Sequence, residues 1–199
     1  MPKAERLASF SDAVFAVIIT IMVLDLKPPA AATLAALLSL WPTFLSYGVS
    51  YLFIAIVWVN HHHLMRFIDD PTPRLIWINF AHLFMVSLVP FSTAWVAATR
   101  LAAVPVSLYA GVFVLVNAAY LAFERLALAQ ASDDAMSATT RRIVRLRSVL
   151  TLAAFAVAMV VALARPAVGF ALICCTLFAY LRPAPFGRPV KRSEIQVDL

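Results

Sequence analysis

Six stretches of this 199-residue chain run for 12 residues or more without an aspartate, glutamate, lysine or arginine: 13–24, 33–60, 75–99, 101–123, 148–164 and 166–181. The hydrocarbon core of a bilayer takes roughly 20 helical residues to cross, with about 17 tolerated. Inside it every backbone N–H and C=O must be satisfied within the segment, which leaves helices as the natural solution. The first run reaches that length only if its helix starts near Arg6, which sets Arg6 and Asp12 at one membrane interface. The sixth is short, and its flanking arginine can reach back to the interface. The expected fold is therefore an all-α integral membrane protein with six transmembrane helices.

Composition agrees. The chain is 63% hydrophobic and 13% charged, with a mean hydropathy of +0.91, well outside the range of soluble domains. Residues 1–24 have the basic start and apolar centre of a secretory signal. Asp12 interrupts the approach, however, and Asp25-Leu26-Lys27-Pro28-Pro29 is a poor small-residue cleavage site, so the segment is read as a retained helix. No internal repeat or domain boundary is visible. A single six-helix membrane unit is expected over 1–182, with a proline-rich, polar and disordered tail over 183–199.

Basic residues set the orientation. With six spans, thirteen of the sixteen lysines and arginines fall on one side, and only Lys27, Arg100 and Arg165 on the other. By the positive-inside rule both termini are cytoplasmic, and the protein is a multi-pass component of the cell (plasma) membrane. The formal charge of +6 is thus topological. Nucleic acid is not an expected partner, because no soluble domain is left to carry a basic face.

Pro28-Pro29 is expected to end the first helix, Asp69-Asp70-Pro71-Thr72-Pro73 to turn the chain before the third, and Pro105 to sit in a helix's first turn. Pro90 interrupts the third. In the one long connection, 126–147, Ser132-Asp133-Asp134 resembles a helix start, followed by Arg141, Arg142, Arg145 and Arg147. That arginine cluster reads as ordinary positive-inside flanking, or else as a site for an anionic lipid or effector. Cys174 and Cys175 are neighbours on a helix and point about 100° apart, so two packed thiols are expected rather than a structural disulfide.

The first helix has two faces when residues are placed at about 100° each. Arg6, Phe10, Ala13, Val17, Thr20, Ile21 and Leu24 share one broad sector, while Ser11 and Asp12 point elsewhere, toward neighbouring helices. Thr20 either serves that sector or bonds a carbonyl of its own helix one turn earlier. The second helix delivers Trp58, Asn60, His61, His62 and His63 to the level of Arg6 and Asp12, and His82 lies at a similar depth. Consecutive helical histidines fan over about 200° and cannot all meet one ion. No zinc-type spacing accompanies them, so no metal site and no cofactor is assigned. A hydrogen-bonded network of Arg6, Ser11, Asp12, Asn60 and one or two of His61, His62 and His82 is expected instead, satisfying groups that hydrocarbon cannot. A histidine is its only member titrating near neutral pH, so behaviour is expected to change between about pH 5 and 8.

Arg6-x-x-x-Phe10-Ser11-Asp12 opening the first helix, and Trp58-x-Asn60-His61-His62 ending the second, resemble the transmembrane protein 175 family of endosomal and lysosomal potassium channels. The six-helix plan resembles it too, and the likeness covers most of the chain. With one six-helix unit rather than two, the chain resembles the prokaryotic members. The resemblance implies a homotetrameric, potassium-permeable cation channel in the lipid bilayer, not an enzyme, whose permeant ion is K+ and whose pore is lined by the first helices. It also implies a hydrophobic constriction in place of a carbonyl-lined filter. By distance from Asp12 the constriction falls on Val17, Ile21 and Leu24, with Thr20 as a polar ring. Val17 departs from the isoleucine or leucine common there. Phe10 belongs to the structural motif. The chain has only four glycines and no Thr-Val-Gly-Tyr-Gly loop. Two other classes compete on the residues alone: a membrane metal- or haem-binding enzyme using His61, His62, His63 and His82, and a proton- or cation-coupled transporter using Asp12 and the histidines.

Overall fold

The structure, a computed structural model, describes residues 3–130 and 138–181, which form helices joined by turns, bends and short irregular segments. Helix α1 (Lys3–Met22) begins ahead of Arg6 and tightens into a 3-10 turn at Val23–Asp25 before Pro28 and Pro29. Its start is what lets the short first apolar run reach membrane length.

The second run is divided. A single turn and a half, α2 (Leu34–Leu38), is capped by Thr33, whose hydroxyl accepts from the Ala36 N–H at 3.2 Å. The long helix α3 (Trp41–Met65) then starts with Pro42 in its first turn, where the missing N–H costs nothing. It continues through all three histidines, which therefore lie on the helix and not in a turn.

Pro71-Thr72-Pro73 reverses the chain as expected. Thr72 caps α4 (Pro73–Ser87) by accepting from the Leu75 N–H at 3.3 Å. Pro90 cannot donate to the preceding turn, and the helix resets two residues earlier, at Leu88, into α5 (Val89–Ala98). Arg100 and Leu101 then take left-handed backbone (φ 52° and 62°), and the Leu101 N–H closes α5 on the Val96 carbonyl at 3.0 Å. The chain turns directly into α6 (Ala103–Leu128), with Pro105 in its first turn. Helices α7 (Ala138–Ala164) and α8 (Pro166–Tyr180) are joined by Arg165 alone.

Among the described residues, five helical segments are long and apolar enough to cross a membrane: Lys3–Asp25, Trp41–Met65, Pro73–Ala98, Ala103–Leu128 and Ala138–Ala164. The sixth apolar run forms α8, whose 15 residues rise only about 22 Å. The expected helix start at Ser132-Asp133-Asp134 and the expected disordered tail lie outside the described residues.

Helix α6 is the most buried span and α7 the least. At the centre the rings of Phe53 and Phe113 stack at 3.6 Å between centroids, and Phe155 meets both edge-on at 5.9 and 5.3 Å, joining α3, α6 and α7. Ser50 shares hydrogen bonds of 2.6 Å with both Thr93 and Tyr109, tying α3 to α5 and α6. Without a hydrophobic force between helices in lipid, such bonds and close packing of small residues hold the bundle. Gly169 shows the second device: a Cβ there would lie 2.6 Å from Ala162 Cβ, so α8 crosses α7 nearly backbone to backbone. Cys174 packs half-buried beside the core while Cys175 is exposed.

Candidate pore face and polar relay of the first helix

Helix α1 divides sharply. Leu7, Ser11, Phe15, Ile18 and Met22, spaced three or four apart, are buried against the rest of the subunit. The other side is open: Phe10, Val17, Ile21 and Leu24 are 46%, 54%, 48% and 73% exposed, and Arg6, Ala13 and Thr20 are exposed with them. This is the sector that helical spacing isolates. An apolar face on a membrane helix does not by itself ask for water or protein. Arg6 on the same face does, because lipid would leave its charge unsolvated. Thr20 donates its hydroxyl hydrogen to the Val17 carbonyl at 2.9 Å. Its oxygen lone pairs stay on the open face.

Behind that face runs a buried relay of side chains. Ser11 donates to the Leu7 carbonyl at 2.9 Å and accepts from Asn79 Nδ2 at 3.0 Å. Asn79 Oδ1 lies 2.7 Å from His61 Nε2. Since the amide nitrogen is the donor to Ser11, the amide oxygen must accept, and the hydrogen of His61 sits on Nε2. All three residues are fully buried. The imidazole of His61 lies parallel to that of His82, with 5.9 Å between centroids, and to the ring of Phe123 at 5.1 Å. His82 Nδ1 meets the Val116 carbonyl at 3.3 Å. A carbonyl only accepts, so this nitrogen carries the hydrogen. Helices α1, α3, α4 and α6 are thereby joined through one polar thread. Among the described residues His61 Nδ1 and His82 Nε2 have no hydrogen-bond partner, so two buried imidazole lone pairs are left unused.

Asp12 forms a separate latch, accepting from Trp58 Nε1 at 2.8 Å. The His62 ring lies 5.5 Å from that indole, and Phe10 packs on Phe80 with 5.4 Å between centroids.

The single expected network is thus two, with different members. Arg6 is exposed and makes no ion pair with Asp12. Six residues advance about 240° around a helix, so the two side chains leave in different directions. The ion pair at this end is Lys3 with Asp70, 3.2 Å apart. Asn60 turns back to the Ile56 carbonyl at 2.8 Å and His63 Nδ1 to that of Val59 at 2.7 Å. Only His61 of the three consecutive histidines faces inward, as the 100° step requires. Sequence reasoning missed Asn79, the link between Ser11 and His61, and assigned no role to Trp58 beyond the motif. Asn79 stands three positions before His82, so both share the inward side of α4; that spacing was the available signal. Among the described residues no group of three or more His, Cys, Asp or Glu is placed to hold a metal ion.

Comparison with known proteins follows the same residues. Positions 6–90 match the family described as endosomal/lysosomal potassium channel TMEM175. A potassium channel of Chryseobacterium sp. (strain P1-3) is 40% identical over 60% of this chain and 62% of its own length. One of Chamaesiphon minutus is 34% identical over 67% of this chain and 68% of its own. One of Streptomyces collinus is 39% identical over 49% of each. The matched regions thus leave between a third and a half of these curated relatives uncovered. Among solved structures, the crystal structure of a lysosomal potassium-selective channel TMEM175 homolog from Chamaesiphon minutus superposes with a TM-score of 0.81 at 25% identity. That match covers 90% of this chain and 96% of the other.

Proposed function

The chain is a prokaryotic-type member of the TMEM175 family, a family of ion channels and not of enzymes, and on that premise we propose that it conducts potassium as a homotetramer. In this reading each subunit crosses the cell membrane six times, with α8 as the short sixth span and both termini in the cytoplasm. The observation that carries it is the open face of α1. Four copies turned inward would line an axial path with Leu24, Ile21 and Val17 and shield those side chains from lipid.

An apolar neck of that kind resists wetting, and ions pass only when it holds water, so it serves as gate and filter together. Thr20 adds the one polar ring. Its hydrogen is committed to Val17, so it offers only oxygen lone pairs to the path, which suits a cation and repels an anion. Potassium, with the lower charge density, gives up part of its water more readily than sodium. No bound cofactor is required; the ion is the cargo. The buried relay through Ser11, Asn79 and His61 and the Asp12–Trp58 latch hold α1 to its own subunit, which sets the neck's radius.

Purified protein in liposomes tests this directly. Potassium flux down its gradient, slower sodium flux and exclusion of a large organic cation are expected. No flux above empty liposomes, or flux only with a coupling proton, would overturn the channel reading.

A further inference from the structure

Outside the pore face and its relay, a groove of about 580 Å³ lies on the flank of the subunit between α4 and α6, lined by Arg74, Trp77, Ile78, Ala122, Arg125 and Leu126. The two helices run antiparallel. The first turn of α4 and the last turns of α6 therefore share one membrane level, on the side of the Lys3–Asp70 pair.

The chemistry of the groove is divided by depth. At the mouth stand two guanidiniums from different helices, both exposed, neither hydrogen-bonded nor ion-paired among the described residues. The acid next to Arg125, Glu124, is turned into the subunit, 1% exposed, and accepts from the Ser148 hydroxyl at 2.6 Å. Two of the four arginines in the first half of α7 are otherwise engaged, while Arg142 and Arg145 are exposed. Arg141 donates to the Leu128 carbonyl at 2.6 Å, and Arg147 donates to the Tyr180 carbonyl and lies 4.0 Å from the centre of that ring. Deeper in the groove the walls are Ile78 and Ala122, with Leu126 at the level of Arg125. Trp77 is 74% exposed beside them, the position an indole takes at a membrane interface.

We propose that this groove binds an anionic phospholipid from the leaflet on the N-terminal side of the chain. Arg74 and Arg125 hold the phosphate, Trp77 sits at the glycerol level, and an acyl chain follows Ile78 and Ala122. Guanidinium forks match phosphate oxygens two at a time, and two such groups outside any ion pair among the described residues favour a net anion over a zwitterion. Basic pockets between membrane helices at this depth have the required character. A neighbouring subunit covering the groove would instead bury two unpaired charges. The inference rests on membrane location only and stands or falls independently of conduction.

The test is native mass spectrometry of the full chain with phosphatidylglycerol and phosphatidylcholine of matched acyl chains. The wild type should retain phosphatidylglycerol at least about fivefold better, and Arg74→Gln or Arg125→Gln should each reduce that preference by up to about fivefold. The double variant should bring it close to one. Arg142→Gln/Arg145→Gln removes equal charge from exposed positions on α7 and should leave the preference intact. Equal retention of both lipids by the wild type, an unchanged preference in Arg74→Gln/Arg125→Gln, or an equal loss in the α7 pair would overturn the proposal. So would displacement by equimolar soluble glycerol phosphate, which assigns a free-phosphate site. Cross-linking between subunits through Ala122→Cys would also overturn it, giving the groove to a second copy.

Discussion

The N-terminal spans and the C-terminal pair are held together by different means. Through α1, α3, α4 and α6 runs the Ser11–Asn79–His61 relay, continued by the stacked rings of His61 and His82. Between α7 and α8 the seam has a close approach of Gly169 to Ala162 beside the Arg165 turn and, at its other end, a polar contact of Arg147 with Tyr180. Directional bonds specify one rotation of each helix; contact between small residues specifies distance and tolerates sliding. The part of the chain that needs a defined α1 orientation has the directional device. The family match at 6–90 falls on that part as well.

The comparison breaks first at the proposed pore face. Ile21→Asn or Leu24→Asn should raise potassium flux in liposomes about tenfold or more, equivalent to removing roughly 1.4 kcal/mol of barrier. If neither changes flux, α1 is not the conducting element and its orientation has no special importance.

Asn79→Leu comes next. It removes the donor to the Ser11 oxygen, whose own hydrogen stays on the Leu7 carbonyl, and leaves the buried His61 Nε2–H unpaired, at about 1–3 kcal/mol. The thermal midpoint in detergent should fall and flux should be lost, because α1 is no longer fixed. A stable, conducting Asn79→Leu protein would reduce the relay to filler.

Gly169→Ala is the counterpart in the C-terminal pair. The added Cβ forces α7 and α8 apart, costing about 1–3 kcal/mol. Here stability should fall while flux per folded protein is retained. Altered ion selectivity in this variant would show that the pair is more than scaffold.

The smallest effect is expected from Thr20→Ala, a two- to threefold loss of potassium over sodium permeability, roughly 0.5 kcal/mol. Reversal-potential measurements would show it. An unchanged ratio would mean that the hydroxyl serves only the Val17 carbonyl.

How far these regions can be read from sequence differs for the same physical reasons. The spans are legible because hydrocarbon forbids charge, and charge-free runs are countable. The open face of α1 is legible because the helical step is regular: Val17, Ile21 and Leu24 must share a side. The partners across helices are not. Ser11 and His61 are each visible as polar groups without a home, but nothing local says that Asn79 joins them, since the contact spans 68 positions on one side and 18 on the other. Arg6 and Asp12 invite pairing by opposite charge, and only their angular separation argues against it. The division of the second apolar run at Leu40 does not show in composition, because both pieces are apolar; its local signals are Thr33, which caps the first piece, and Pro42 in the first turn of the second.

The brevity of α8 has a consequence for how the protein is made. A helix rising about 22 Å cannot cover a hydrocarbon core of about 30 Å, so α8 presented alone to the insertion machinery is a weak membrane segment. Its connection to α7 is one residue, Arg165, and its closest partner surface is the Ala162 stretch of that same helix. The two are therefore suited to enter the bilayer as a hairpin, with α7 supplying the apolar length that α8 lacks. A glycosylation reporter placed after Leu181 should place that end on the N-terminal side of the membrane when α7 precedes it, and on either side when α8 is presented by itself. Equal placement in both contexts would make α8 an autonomous span.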